Sequence, residues 1–290
     1  MKYTIHIIAL AILLAVSCQR NELPEENSHK GTEKILTVGV VDESDTRVGF
    51  DENNSFYWHK GDKIGVLTSS GFREMTLLDN YHKKPSGVFV GNFQEEIGEY
   101  VVFPYGNHMM ENGVLTFVLP SSYTYTSIEA DTNSFNPPML GKIDGPNAQL
   151  RHLGSFFKIS VTNIPAGGED MKMVFSADKR ITGGFNADPF AETPVINTDD
   201  SEGNTVTIYF SNTVSGGSGT FYIPAPLGTY GSVGVEIFDG DISIDSKTWT
   251  DQVVTRMTPK RGAVELNYIA TINELPFGSL QDAINAADNN

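Results

Sequence analysis

VTIYF (Val206–Phe210) and VGVEIF (Val233–Phe238) are the stretches on which the fold turns. In the first, Val206, Ile208 and Phe210 share one face; in the second, Val233, Val235 and Ile237 do. A period of two is that of a strand with one wet face and one face in a core. Such alternation belongs to antiparallel sheets, because parallel sheets are covered on both faces. The same signature, β-branched and aromatic runs bounded by Gly, Pro, Asn and Asp, recurs along the chain. It is found at Lys34–Val41, Lys63–Leu67, Gly87–Phe93, Tyr100–Phe103, Val114–Leu119, Phe156–Val161, Met171–Phe175, Gly219–Ile223 and Ala263–Ile269. No helical period persists beside it, and 28 Gly and 14 Pro supply turns. The expected fold is all-β, with strands spaced about 8–12 residues apart as in sandwiches and barrels.

The folded part, about 235 residues, is long for one sandwich and suits two. The expectation is two tandem antiparallel β-sandwich domains, residues 33–147 and 148–272. The boundary is placed in NPPMLGKIDGPNAQ (Asn136–Gln149), which holds three prolines and two glycines. A fresh strand then opens in LRHLGSFFKISVTNI (Leu150–Ile164), with Leu150, Leu153 and Phe157 facing the core and Arg151 and His152 on the wet face. The tail, residues 273–290, differs. Leu280, Ala283, Ile284 and Ala287 are spaced by three and four, which predicts a short amphipathic helix.

Cys18 is the single cysteine of 290 residues, so no internal disulfide exists. It follows a charged start (Lys2), an apolar run from Ile5 to Val16 broken only by His6, and the small residues before Ser17. That order describes a secretory signal over residues 1–17. The run is shorter than the roughly 20 residues a membrane-spanning helix needs. Leu14-Ala15-Val16-Ser17-Cys18 resembles a lipobox, with Ala15 where Leu is usual. On that reading the chain is cut between Ser17 and Cys18, and acyl chains on Cys18 hold it to a membrane. The alternative is a signal cut elsewhere, with Cys18 incidental. Residues 18–32 contain one large apolar residue, Leu23, and read as a flexible tether. Its early acids, Glu22, Glu25 and Glu26, loosely resemble a surface-export signal of some Gram-negative lipoproteins.

The formal net charge is −16, and removing residues 1–17 with Lys2 makes it −17. Such a chain repels nucleic acid, whose binding needs Lys and Arg at phosphates. No Gly-x-Ser-x-Gly elbow, His-Glu-x-x-His or P-loop is present, and no two His have metal-ligand spacing. No enzyme activity and no cofactor are expected, although paired carboxylates need only spatial proximity and stay open. Two acidic loops offer calcium ligands: Asp239, Asp241 and Asp245 in DGDISID, and Asp199, Asp200 and Glu202 in NTDDSEGN. Neither follows the EF-hand pattern, and solvated hairpin turns explain both. Trp58 reads as core packing, Asp62 as the cap of a turn, and Pro104-Tyr105 as the end of a strand.

TRVGFDENNSFYWHKGDKIGVL (Thr46–Leu67), YVVFPYGN (Tyr100–Asn107), LRHLGSFFKISVTNI, FYIPAPLGTY (Phe221–Tyr230) and TRMTPKRGAVELNYI (Thr255–Ile269) occur in this order. Together they resemble the fimbrillin-like lipoproteins of type V pilus systems, over about residues 33–270. The resemblance implies two Greek-key β-sandwiches of transthyretin or immunoglobulin type, carried on an outer-membrane lipoprotein at the cell surface. It implies a fimbrial shaft, anchor or tip subunit acting in adhesion and assembly. Its partners would be the membrane through its lipid, other fimbrial subunits, and host or bacterial surface proteins or glycans. In shaft subunits a trypsin-like protease cuts after an Arg, here Arg47, and a neighbour's strand fills the groove left behind. An uncut Arg47 in a surface loop is the other reading. GSLQDAINAAD (Gly278–Asp288) also resembles the N-terminal cap of right-handed β-helix proteins. Two further readings follow: the presenting region of a larger adhesin or carbohydrate-active protein with a β-helix beyond residue 290, and a glycan-binding lipoprotein that does not polymerise.

Overall fold

The computed structural model describes residues 31–41, 57–106, 108–125, 137–165, 170–210, 217–256, 258–267, 270–272, 275–277 and 284. Twenty strands run in order: β1 (Thr32–Val40), β2 (Lys63–Thr68), β3 (Gly71–Leu77), β4 (Ser86–Phe93), β5 (Tyr100–Phe103), β6 (Met109–Glu111), β7 (Val114–Leu119), β8 (Ser122–Thr124), β9 (Met139–Asp144), β10 (Asn147–His152), β11 (Ser155–Thr162), β12 (Met171–Ala177), β13 (Gly183–Ala187), β14 (Thr205–Tyr209), β15 (Gly219–Ala225), β16 (Gly228–Asp239), β17 (Ile242–Val254), β18 (Lys260–Glu265), β19 (Ala270–Ile272) and β20 (Leu275–Phe277). The alternation of VGVEIF holds: Val233, Val235 and Ile237 are buried, as are Val206 and Ile208 of β14.

The fold is all-β, but its layout is not two sandwiches in a row. Seven strands close on themselves as a barrel in the order β1-β10-β9-β5-β2-β3-β4. Closure follows from β1, which pairs with β4 on one side and β10 on the other and so leaves no edge. The barrel is filled by Leu36, Val38, Trp58, Phe89, Phe103 and their neighbours. Trp58 meets the edges of Phe89 and Phe103 at centroid distances of 4.9 and 5.3 Å. Gly87 makes room for it, since a Cβ there would lie 3.0 Å from Trp58 and 2.4 Å from Leu77.

The second half does pack two sheets face to face, β15-β11-β18 on β17-β16-β12-β14-β8. Strands nevertheless cross between the halves. β7 pairs with β13, and β8 pairs with β14. Sheet β13-β7-β6 lies against the outside of the barrel, with Phe117 and Phe185 packed on Val102 and Leu140. Residues 32–290 accordingly form one compact unit.

Three expectations change. The boundary placed at 147/148 falls inside β10, because Met139–His152 forms the hairpin β9–β10, turned at Gly145 (φ +56°). His152 is buried, because a two-residue period from Leu150 puts both on the inner side and leaves Arg151 half-buried between them. The sheet pattern continues past Ile272 into the hairpin β19–β20, which accommodates Pro276. The expected C-terminal helix falls on residues 278–290, outside the described residues except for Ile284, and no α-helix is among the described elements.

Candidate functional site

Two features of the barrel bear on function, the seam that holds β1 and a cleft on the outer wall. In the seam, Thr32–Gly39 runs antiparallel to Phe93–Ser86 and Thr37–Val40 runs parallel to Asn147–Leu150. Leu36 lies opposite Phe89, and Val38 lies between Gly87 and Ala148. Both are buried, whereas Ile35 points outward at 55% exposure. The pleat sets Leu36 in phase with Val38. The second half repeats the device, with β11 held between antiparallel β15 and parallel β18.

The cleft, about 440 Å³, lies between the wall formed by β5, β9 and β10 and residues 189–194. Register brings its residues together. Tyr100 of β5 is opposite Lys142 of β9, which is opposite Gln149 of β10, which is opposite Gly39 of β1. In the next row on the same face, Val102 is opposite Leu140 and Leu140 opposite Arg151. Gly39 matters here, because a Cβ would sit 2.8 Å from the Gln149 amide oxygen. The facing wall is the segment after β13. Its Asp188 carboxylate accepts the Phe190 N–H at 2.9 Å, and Ile196 is fixed by donating to the Leu153 carbonyl at 2.9 Å. Between those anchors Phe190 stands 64% exposed, its ring edge-to-face with Tyr100 at 6.1 Å.

This wall carries charges of both signs. Lys142 Nζ lies 6.0 Å from the Tyr100 ring centre, and Arg151 and Glu192 complete the charged lining. Arg256 lies near Arg151; burial first and Arg151 second lower its pKa. The Tyr100 hydroxyl is buried with no hydrogen-bond partner among the described residues. Burial, followed by the charges of Glu99 and Asp188, raises its pKa. The cleft is thus lined by charged groups of both signs, an amide and an exposed aromatic ring.

Ser17, Cys18 and Arg47 lie outside the described residues. The calcium candidates are placed but do not converge. Asp241 faces Lys172 at 3.7 Å, while the Asp245 carboxylate accepts from the N–H groups of Ser246 and Asn267. Asp199 and Asp200 pair with Arg180 and Lys179. No group of three or more His, Cys, Asp or Glu suited to a metal ion occurs among the described residues. Asp62 caps its turn, accepting the His59 N–H at 2.8 Å. Tyr100, Lys142, Gln149 and Phe190 were not singled out in the sequence, because only strand register brings the first three together.

No family model matches the chain, and no curated protein matches it. Among solved structures it is similar to a candidate cell adhesion protein from Bacteroides ovatus, with 12% identity, 86% of this chain and 98% of that one covered, and a TM-score of 0.43. It is also similar to a candidate cell adhesion protein from Bacteroides eggerthii (13% identity, 85% and 90% covered, TM-score 0.30). A third is the major pilin of Streptococcus pyogenes (9% identity, 80% and 99% covered, TM-score 0.18). Likeness at this level assigns no family to the chain.

Proposed function

We propose that the protein is a fimbrillin-like surface lipoprotein, a structural or accessory fimbrial subunit acting in adhesion and assembly by β-strand addition rather than in catalysis. The observation that carries this reading is the seating of β1. It is the first strand among the described residues, and it fills a seam between two strands that pair with nothing else on that side. Taking it out would leave the edges of β4 and β10 unpaired and open the barrel core at the places of Leu36 and Val38. Unpaired edges above an apolar slot are what an incoming strand recognises. Arg47 follows β1 in sequence, where a cut would separate the strand and its lipid from the rest.

Gel electrophoresis of unboiled surface extract tests the reading. Ladders of high mass that collapse to one band on boiling are expected. A single monomer band in unboiled extract would contradict it.

A further inference from the structure

In the other half of the fold, a strand edge and an apolar pocket lie side by side at β8. The sheet order β17-β16-β12-β14-β8 ends there, so β8 is paired on one side. It runs parallel to β14. The Thr207 N–H donates to the Ser121 carbonyl at 2.9 Å, and the Tyr125 N–H donates to the Tyr209 carbonyl at 2.7 Å. Alternate residues of a strand bond to the same neighbour, so positions 121, 123 and 125 face β14. The N–H and C=O groups of Ser122 and Thr124 point the other way, and both residues are exposed. No backbone group takes them among the described residues.

The adjoining pocket, about 110 Å³, is walled by Pro104, Phe117, Leu119, Tyr123, Val206 and Pro224. No charged residue lines it among the described residues. The Tyr123 hydroxyl is already committed, donating to the Tyr222 carbonyl of β15. His108 braces the walls. Its Nδ1 accepts the Val118 N–H at 3.3 Å, so its Nε2 carries the proton and donates to the Pro104 carbonyl at 2.8 Å. Its ring centre lies 4.1 Å from that of Phe117. Small-ligand sites usually measure about 300–1,000 Å³, whereas a cavity of about 150 Å³ admits benzene. This one has room for a single apolar side chain. It offers nothing polar to orient a free ligand, but a chain held at the strand edge can deliver that side chain.

We propose that β8 and this pocket together dock an extended, uncharged segment of a partner protein that carries one large apolar side chain. The segment adds a strand beside β8 and pairs with the outward groups of Ser122 and Thr124. Every second side chain of an added strand falls on the Tyr123 side of the sheet, where the pocket lies. Leu or Phe at one such position fills it. The site is separate from the seam of β1: no strand has to leave, and a cut at Arg47 is not needed.

Titration of the full mature chain, labelled with ¹⁵N, with the capped peptides Ac-Thr-Thr-X-Thr-Thr-NH₂ tests this, with X as Leu, Phe, Ala or Asp. The Leu or the Phe peptide should shift the Ser122 and Thr124 amide signals and bind about tenfold or more tightly than the Ala peptide. The Asp peptide should not bind. Val118→Phe puts a ring into the pocket and should remove the preference over Ala. Thr124→Pro deletes an outward N–H at an exposed edge and leaves the ladder to β14 intact, so it keeps the test valid if Val118→Phe fails to fold. It should weaken binding about threefold or more. No shift of either amide by any peptide up to about 10 mM, an Ala peptide that binds as tightly as Leu and Phe, free benzyl alcohol that binds as tightly as the Phe peptide, or unaltered binding by Thr124→Pro each overturns the proposal.

Discussion

Truncating β1 on its two faces should give opposite results. Leu36 is 1% exposed and faces Phe89 across the strand pair inside a closed barrel. A closed wall relaxes little around a hole, so Leu36→Ala should cost about 3 kcal/mol, within the usual range of about 2–5 for buried leucines. Ile35, its neighbour in sequence, is 55% exposed, and Ile35→Ala should cost less than about 0.5 kcal/mol. Urea unfolding followed by tryptophan fluorescence measures both, because Trp58 packs in the same core as Leu36. With a urea slope of about 2–3 kcal/mol/M, Leu36→Ala should lower the midpoint by about 1 M at unchanged slope, and Ile35→Ala should scarcely move it. A one-residue slip of β1 would exchange the two faces. If Ile35→Ala proves the costlier change, the register is wrong and the seam described above does not exist.

Acid should weaken the fold through its buried histidines. His59 and His152 are pushed down to about 4 and about 3, chiefly by burial, and burial also lowers His108. Unfolded imidazoles take their proton near 6.5, so this contribution is complete above that pH and is lost on acidification toward 4; thermal unfolding at stepped pH should show Tm falling across that window. Asp62 has the opposite sign, with burial raising it to about 7. Its folded carboxyl holds a proton that the unfolded one releases near 4, so its contribution is greatest below pH 4 and declines as pH rises to 7. Asp62→Asn should therefore stabilise by up to about 4 kcal/mol at pH 8 and by little at pH 4, read as Tm at the two pH values. Gly87→Ala should destabilise by about 1–3 kcal/mol in the urea assay, because the new methyl would press on Leu77 and Trp58. Calcium should neither release heat on titration nor raise Tm, since Asp241 and Asp245 are already committed to Lys172 and to backbone N–H groups.

What was legible in the sequence was strand alternation. Tyr100–Phe103 and Val114–Leu119 have the boundaries read from it, because each puts apolar residues in a short run between turn formers. β17 was missed because a strand paired on one side only carries charge along its length: Asp245, Lys247 and Asp251 interrupt the apolar period. β9 was missed because Gly141 lies where the Gln149 backbone passes, and glycine beside proline reads as linker. Barrel closure and the exchange of β7 and β8 between halves depend on pairings distant in sequence, which no local pattern encodes. The cleft was illegible for the same reason. Tyr100, Lys142 and Gln149 are dispersed along the chain and adjoin only through the register of β5, β9 and β10.

The claim on which the account rests is that β1 is the strand given up when subunits join. N-terminal sequencing of the high-mass species from surface extract measures this directly. The account predicts a chain starting at Val48, after Arg47, with Thr32–Val40 and the Cys18 lipid removed. High-mass species whose chains still start at Cys18 would contradict it.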